Sequence, residues 1–137
     1  MTMLETMLWT ALVILLALIE YMVFGFLVGG ARARYKISAP ATSGHPEFER
    51  TFRVHYNTLE MLVVFIPAIW LFGMYLNPRW GAIIGAVFVV GRALYAIGYI
   101  RAPEKREVGA MLSFACLAVL LVGAVFGVVR ALWIVGA

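Results

Sequence analysis

Apolar residues fill four long stretches of the 137-residue chain, and polar residues are confined to the short connections between them. The stretches predict spans over about 6–30, 47–76, 79–101 and 107–135, with their most continuous apolar runs at 58–76, 80–100 and 108–135. About 20 mostly apolar residues suffice to cross the hydrocarbon core of a bilayer. Inside lipid a backbone must satisfy its own hydrogen bonds, and one helix does so within a single segment. The expected fold class is therefore all-α, an integral membrane four-helix bundle, with residues 1–137 forming one four-span domain. The first stretch reads as a true span and not as a signal peptide. "MTMLETM" has no positive leader and carries Glu5, and no small-residue cleavage site follows a short apolar run.

Punctuation between the spans agrees with this division. "SAPATSGHPEF" holds prolines, a glycine and small polar residues and reads as a loop. Asn77 and Pro78 have the chemistry of a cap and a first-turn residue for the third helix. Pro103 separates the third span from the fourth, and Pro67 should kink the second or free a carbonyl within it. Composition follows from the pattern: 64% of residues are hydrophobic and 13% charged, against about a quarter charged in soluble domains. With Cys116 as the single cysteine, no intrachain disulfide can form, and a thiol at mid-span reads as packing.

The charges are unevenly placed. Arg32, Arg34, Lys36, Arg50 and Arg53 surround the first connection, and Arg101, Lys105 and Arg106 the third. The second has only Arg79. Basic loops stay on the cytoplasmic side, so connections one and three are expected there, with both termini outside. Trp9, Trp80 and Trp133 fall at the opposite ends of their spans, where indole rings favour the interface. In a bacterium the membrane would be the inner, or plasma, membrane. Three glycine pairs, Gly25/Gly29, Gly81/Gly85 and Gly123/Gly127, have the spacing that lets membrane helices approach closely, either within one bundle or between copies. Glu20 is a carboxylate deep in an apolar span. It reads as a polar link between helices or subunits, far along the membrane normal from the other polar groups, or else as a proton-coupling group.

The stretch "ERTFRVHYNTLE" leads into the second apolar run. On a helix Arg50, Arg53, Asn57 and Glu60 form one stripe, while His55 points elsewhere. In "GRALYAIGYIRAPEKR" a second stripe holds Arg92, Tyr95 and Tyr99, with Arg106 following on the same side of the membrane. Two such stripes facing each other make a polar pocket in an apolar bundle. Arginines grip carboxylates with paired charge-assisted hydrogen bonds. A carboxylate among them suits an ammonium, and Asn and Tyr add further donors and acceptors. The complement is a small zwitterion with surplus carboxylates, and a γ-glutamyl tripeptide such as glutathione fits. Basic residues marking only the headgroup boundary would account for Arg32, Arg34, Lys36 and Lys105, but not for the Asn/Glu and Tyr/Tyr registers.

"ERTFRVHYNTLE", the preceding "PEFER", the R-x-x-Y-x-x-x-Y of the third span and the basic turn ending at Arg106 together resemble the MAPEG family, the membrane-associated proteins in eicosanoid and glutathione metabolism. The resemblance extends over nearly the whole chain. It implies a homotrimer of four-helix protomers with glutathione bound between neighbours near the cytosolic face. By position it implies that Arg53 holds a glutathione carboxylate, that Asn57 and Glu60 take the γ-glutamyl end, and that Tyr95, Tyr99 and Arg92 line the same site. Arg32 would come from the adjacent subunit, His55 matches a histidine of some members, and Arg106 would hold the thiol as thiolate. Met61, Tyr95 and Glu107 depart from the eicosanoid-forming branches, and "HYNTLE" points to the microsomal glutathione transferase branch.

The resulting expectation is a membrane glutathione S-transferase, conjugating glutathione to apolar electrophiles in detoxification, with peroxidase activity toward lipid hydroperoxides in addition. Its partners would be glutathione as co-substrate, a hydrophobic electrophile, membrane lipid and its own copies. Neither a metal nor a nucleic acid is expected. A non-catalytic scaffold binding lipid or glutathione is the alternative. A small proton-coupled transporter working through Glu20 is a further one.

Overall fold

The computed structural model describes residues 2–136. Helices α1 (Met3–Tyr35), α2 (Pro46–Tyr75), α3 (Pro78–Arg101) and α4 (Glu107–Val135) carry almost all of these residues, and a 3₁₀ turn at Pro103–Arg106 leads into α4. All four are long and apolar enough to cross a membrane. Two helices run past their apolar runs into charged sequence: α1 continues through Arg32 and Arg34, and α2 begins twelve residues before Thr58.

The starts of α1, α2 and α3 and the end of α1 each have a local chemical cause. Thr2 and Glu5 make a reciprocal capping box, with Glu5 Oε2 accepting from Thr2 N at 2.6 Å and Thr2 Oγ1 from Glu5 N at 3.2 Å. Lys36 closes α1 in the left-handed region at φ 55°. His45 Nδ1 accepts from Glu47 N, and Pro46 follows at the first position, where a missing N–H costs nothing. Asn77 Oδ1 accepts from Trp80 N, with Pro78 next. α2 passes through Pro67 as one helix.

α2 and α3 are the central pair. They pack on each other, and each packs on both α1 and α4. Phe65 and Phe88 stack at their interface with centroids 4.0 Å apart. Ile69 and Leu120 are fully buried beside them. Buried hydroxyls turn back onto their own helices, Thr58 to the Val54 carbonyl and Ser113 to that of Gly109, both at 2.7 Å. Outward faces are apolar, with Phe26, Val122 and Phe126 exposed, as suits a lipid solvent. Trp9, Trp80 and Trp133 are exposed at one end of the bundle. The basic residues of the first and third connections lie at the other.

Two of the glycine pairs serve packing within the chain. A Cβ on Gly81 or Gly85 would meet Phe72 or Ile69, and one on Gly123 or Gly127 would meet Phe72 or the Tyr75 backbone. Gly25 faces the His55 ring, and Gly29 faces open space. Approaches closer still occur at Gly98, where a Cβ would collide with the Lys105 carbonyl, and at Gly109, where it would collide with the Tyr95 backbone. Gly109→Val should therefore force α3 and α4 apart. Overpacking of this kind costs about 1–3 kcal/mol. A thermal melt in detergent should show a clearly lowered midpoint, and Gly29→Val, in open space, should melt like wild type.

Candidate functional site

The site grows from Arg92, on the inner face of α3 and only 1% exposed. A buried guanidinium is costly unless its donors are met. Here α2 meets them: Nη2 donates to Thr58 Oγ1 at 2.8 Å and to Asn57 Oδ1 at 3.0 Å, Nε to Thr58 Oγ1 at 3.3 Å, and Nη1 to Met61 Sδ at 3.1 Å. The Tyr95 ring lies beneath the guanidinium at 4.3 Å. Thr58 and Met61 are partners that sequence reasoning missed. Neither stands out in an apolar run, and only the pairing of α2 with α3 brings them to Arg92.

From Arg92 a polar line runs outward in two directions. Asn57 uses its amide oxygen toward Arg92 and its Nδ2 toward Glu60 Oε2, at 3.1 Å. Glu60 stands 3.8 Å from the Arg53 guanidinium, a loose pair with both side chains about half exposed. Each can therefore turn to a ligand of opposite charge at little loss. In the other direction the rings of Tyr95 and Tyr99 are 5.5 Å apart, and Arg106 stands 5.6 Å over Tyr99. The structure thus brings Arg53, Asn57, Glu60, Arg92, Tyr95, Tyr99 and Arg106 into one connected row across α2, α3 and the turn before α4. A cleft of about 510 Å³ opens beside it. Asn57 and Glu60 form its polar wall, and Met111, Phe114 and Leu117 of α4 its apolar one. A polar molecule laid along the row would have an apolar space next to it.

Three other residues lie off this row. Arg50 shares the stripe angularly but sits level with the end of α3, and its Nε donates to the Ile100 carbonyl at 3.2 Å. That carbonyl is among the last of α3, which have no partner within the helix. His55 faces α1 and stacks on Tyr21, with centroids 4.4 Å apart. Arg32 turns into its own connection, where Nη1 donates to the Ala41 carbonyl at 2.7 Å and the guanidinium lies over Phe48. Glu20 is placed differently from the expectation that it stands far from other polar groups. α1 and α3 run parallel and adjacent, with Val13 against Gly85 and Glu20 lining one groove with Ala93, so Glu20 stands at the level of Arg92. Among the described residues no cluster of His, Cys, Asp and Glu could hold a metal ion.

Comparison with known proteins places the chain in a family. An uncharacterized protein of Synechocystis sp. is 48% identical over 122 residues, covering 89% of both chains. Microsomal glutathione S-transferase 2 of Homo sapiens is 42% identical over 115 residues, covering 83% of this chain and 78% of its own. Leukotriene C4 synthase of Cavia porcellus is 33% identical over 117 residues, covering 85% and 78%. The family model described as MAPEG family matches residues 8–126. That match takes in all but the ends of the outer helices, and the four membrane-length helices fit it: the chain is an integral multi-pass membrane protein and belongs to the MAPEG family.

Proposed function

We propose that this protein is a membrane glutathione S-transferase that joins the glutathione thiolate to apolar electrophiles. The observation that carries the reading is the row itself. Two cations, Arg53 and Arg106, flank a carboxylate and an amide, Glu60 and Asn57, beside a cleft with an apolar wall. Glutathione has two carboxylates, one ammonium and a thiol between them. Arg53 would take a carboxylate, and Glu60, oriented by Asn57, the ammonium. Arg92 would act through Asn57, since its own donors are engaged inside the protomer. The name of the human relative, a microsomal glutathione S-transferase, supports the same class.

The chemical step needs the thiolate, because only that form is a strong nucleophile and a free thiol has a pKa of about 8.5. Arg106 beside the sulfur would favour the anion, and the thiol proton would pass to solvent. The sulfur lone pair then forms a C–S bond with an electrophile in the apolar half of the cleft, and any leaving group departs with its electron pair. Fixing both ends of the tripeptide holds the sulfur near its target, an advantage that is realised as lowered entropic cost. With a lipid hydroperoxide the same thiolate would attack oxygen. Two glutathiones would end as the disulfide, and the hydroperoxide as alcohol and water.

Within this proposal the basic end of the bundle is cytoplasmic, where glutathione is supplied, and both termini are outside. The protein works as a homotrimer. Arg32, which stands away from its own protomer's row, would leave its carbonyl and ring contacts to reach the row of a neighbour. The half-exposed Arg53 and Glu60 leave that row open to one.

Arg106→Ala should keep glutathione bound but lose the ultraviolet thiolate band and lower turnover of an aryl halide by about 10²-fold, the scale of one electrostatic contact to a developing or held charge. Unchanged turnover would remove Arg106 from the mechanism. Glu60→Ala should instead weaken binding. A lost charge-assisted hydrogen bond is worth about 1.5–3 kcal/mol, or roughly 10- to 100-fold in Kd by calorimetry. An unaltered Kd would break the assignment of the ammonium to Glu60.

A further inference from the structure

At the basic end of the bundle, on the side of α1, a pocket of about 380 Å³ lies between the end of α1, the start of α2 and the end of α3. Two opposite charges line its polar part. Arg34 Nη1 stands 3.5 Å from Glu47 Oε1, with the side chains 70% and 38% exposed. A pair this open contributes little to the fold and can turn to other partners. Phe26 and Leu27 line the apolar part, about two turns back along α1 from Arg34, and both are exposed. Other contacts hold the corner in place. The Tyr35 and His45 rings stack with centroids 3.6 Å apart, joining the end of α1 to the start of α2, and Arg50 holds the Ile100 carbonyl of α3. Gly30 keeps the pocket clear, since a Cβ there would meet nothing within 4 Å.

A basic residue alone at a membrane boundary attracts anionic headgroups. Here Glu47 faces Arg34 and cancels that preference, because an anionic lipid that gains from one is repelled by the other. A headgroup that carries both charges matches both side chains. We propose that this pocket binds a zwitterionic phospholipid of the ethanolamine class. Its phosphate meets Arg34, its ammonium donates to Glu47, and one acyl chain runs back along Leu27 and Phe26 toward the membrane interior. The carboxylate also decides between the two common zwitterionic headgroups. It can only accept hydrogen bonds, and a trimethylammonium has no N–H to give it. The pocket shares no residue with the polar row, so it stands whether or not the row binds glutathione.

The test is titration of the delipidated protein in detergent, read by native mass spectrometry, with dioleoyl phosphatidylethanolamine, phosphatidylcholine and phosphatidylglycerol. Wild type should bind the ethanolamine lipid roughly three- to tenfold more tightly than either of the others, the worth of one charge-assisted hydrogen bond at a part-exposed site. Glu47→Gln should bind the ethanolamine and choline lipids equally. Arg34→Ala should weaken both alike, and Gly30→Trp, which fills the pocket, should lose the preference with the site. Thermal melts of the lipid-free variants establish that each is folded, and Gly30→Trp, built into open space, should melt like wild type. Equal affinities in wild type, or a preference that survives Glu47→Gln, would overturn the proposal. Tightest binding of phosphatidylglycerol would do so too, since the pocket would then read positive charge alone. So would equal competition by water-soluble glycerophosphoethanolamine, since the headgroup would then be read without its chains.

Discussion

The bundle depends on one charge kept where lipid-like surroundings least favour it. Arg92 is buried between α2 and α3, and no carboxylate is bonded to it directly. Its cost is offset by many weaker partners: a hydroxyl, an amide oxygen, a thioether and an aromatic face. Because these partners lie on successive turns of α2 and on α3 itself, they fix the register of the two central helices. Breaking one partner leaves the others on a charge that can no longer be fully met. The constraint that holds the fold is therefore the same one that orients Asn57, and through it Glu60.

Electrostatics then divide the molecule into distinct sides. The row from Arg53 to Arg106 is open and lies against α4, and half-exposed ions there can exchange partners. The α1–α3 groove is apolar except for Glu20 and Arg101. Arg92 lies buried between the two, at the level of Glu20 along the bundle, and its hydrogen bonds reach Asn57 on the side of the row.

Much of this was legible in the sequence, because membrane length and helical period are both strong signals. The four spans follow from apolar runs too long for anything else, and the start of α3 at Asn77 and Pro78 from residue chemistry. The stripe Arg53, Asn57, Glu60 follows from period alone, and so does Arg92, Tyr95, Tyr99. What could not be read was depth and direction. Arg50 shares the stripe's angle, yet it stands level with the unpaired carbonyls ending α3 and is drawn to one of them. Glu20 looked isolated because its distance from Arg92 along the chain hides two parallel, adjacent helices. Thr58 and Met61 carry no sequence mark of their work at all.

The 3₁₀ turn at Pro103–Arg106 owes its position to two bare glycines. A Cβ on Gly98 would strike the Lys105 carbonyl, and one on Gly109 the Tyr95 backbone, so the chain folds down flat onto α3 on either side of Arg106. With both flanks in van der Waals contact there is no slack for an inserted residue, and none to spare for a deletion. The first connection is held less closely, its residues from Ser38 to Gly44 all exposed and tied down at Ala41 by the flexible side chain of Arg32. Length variation among descendants of this sequence should accordingly gather in the first connection and be purged from the third.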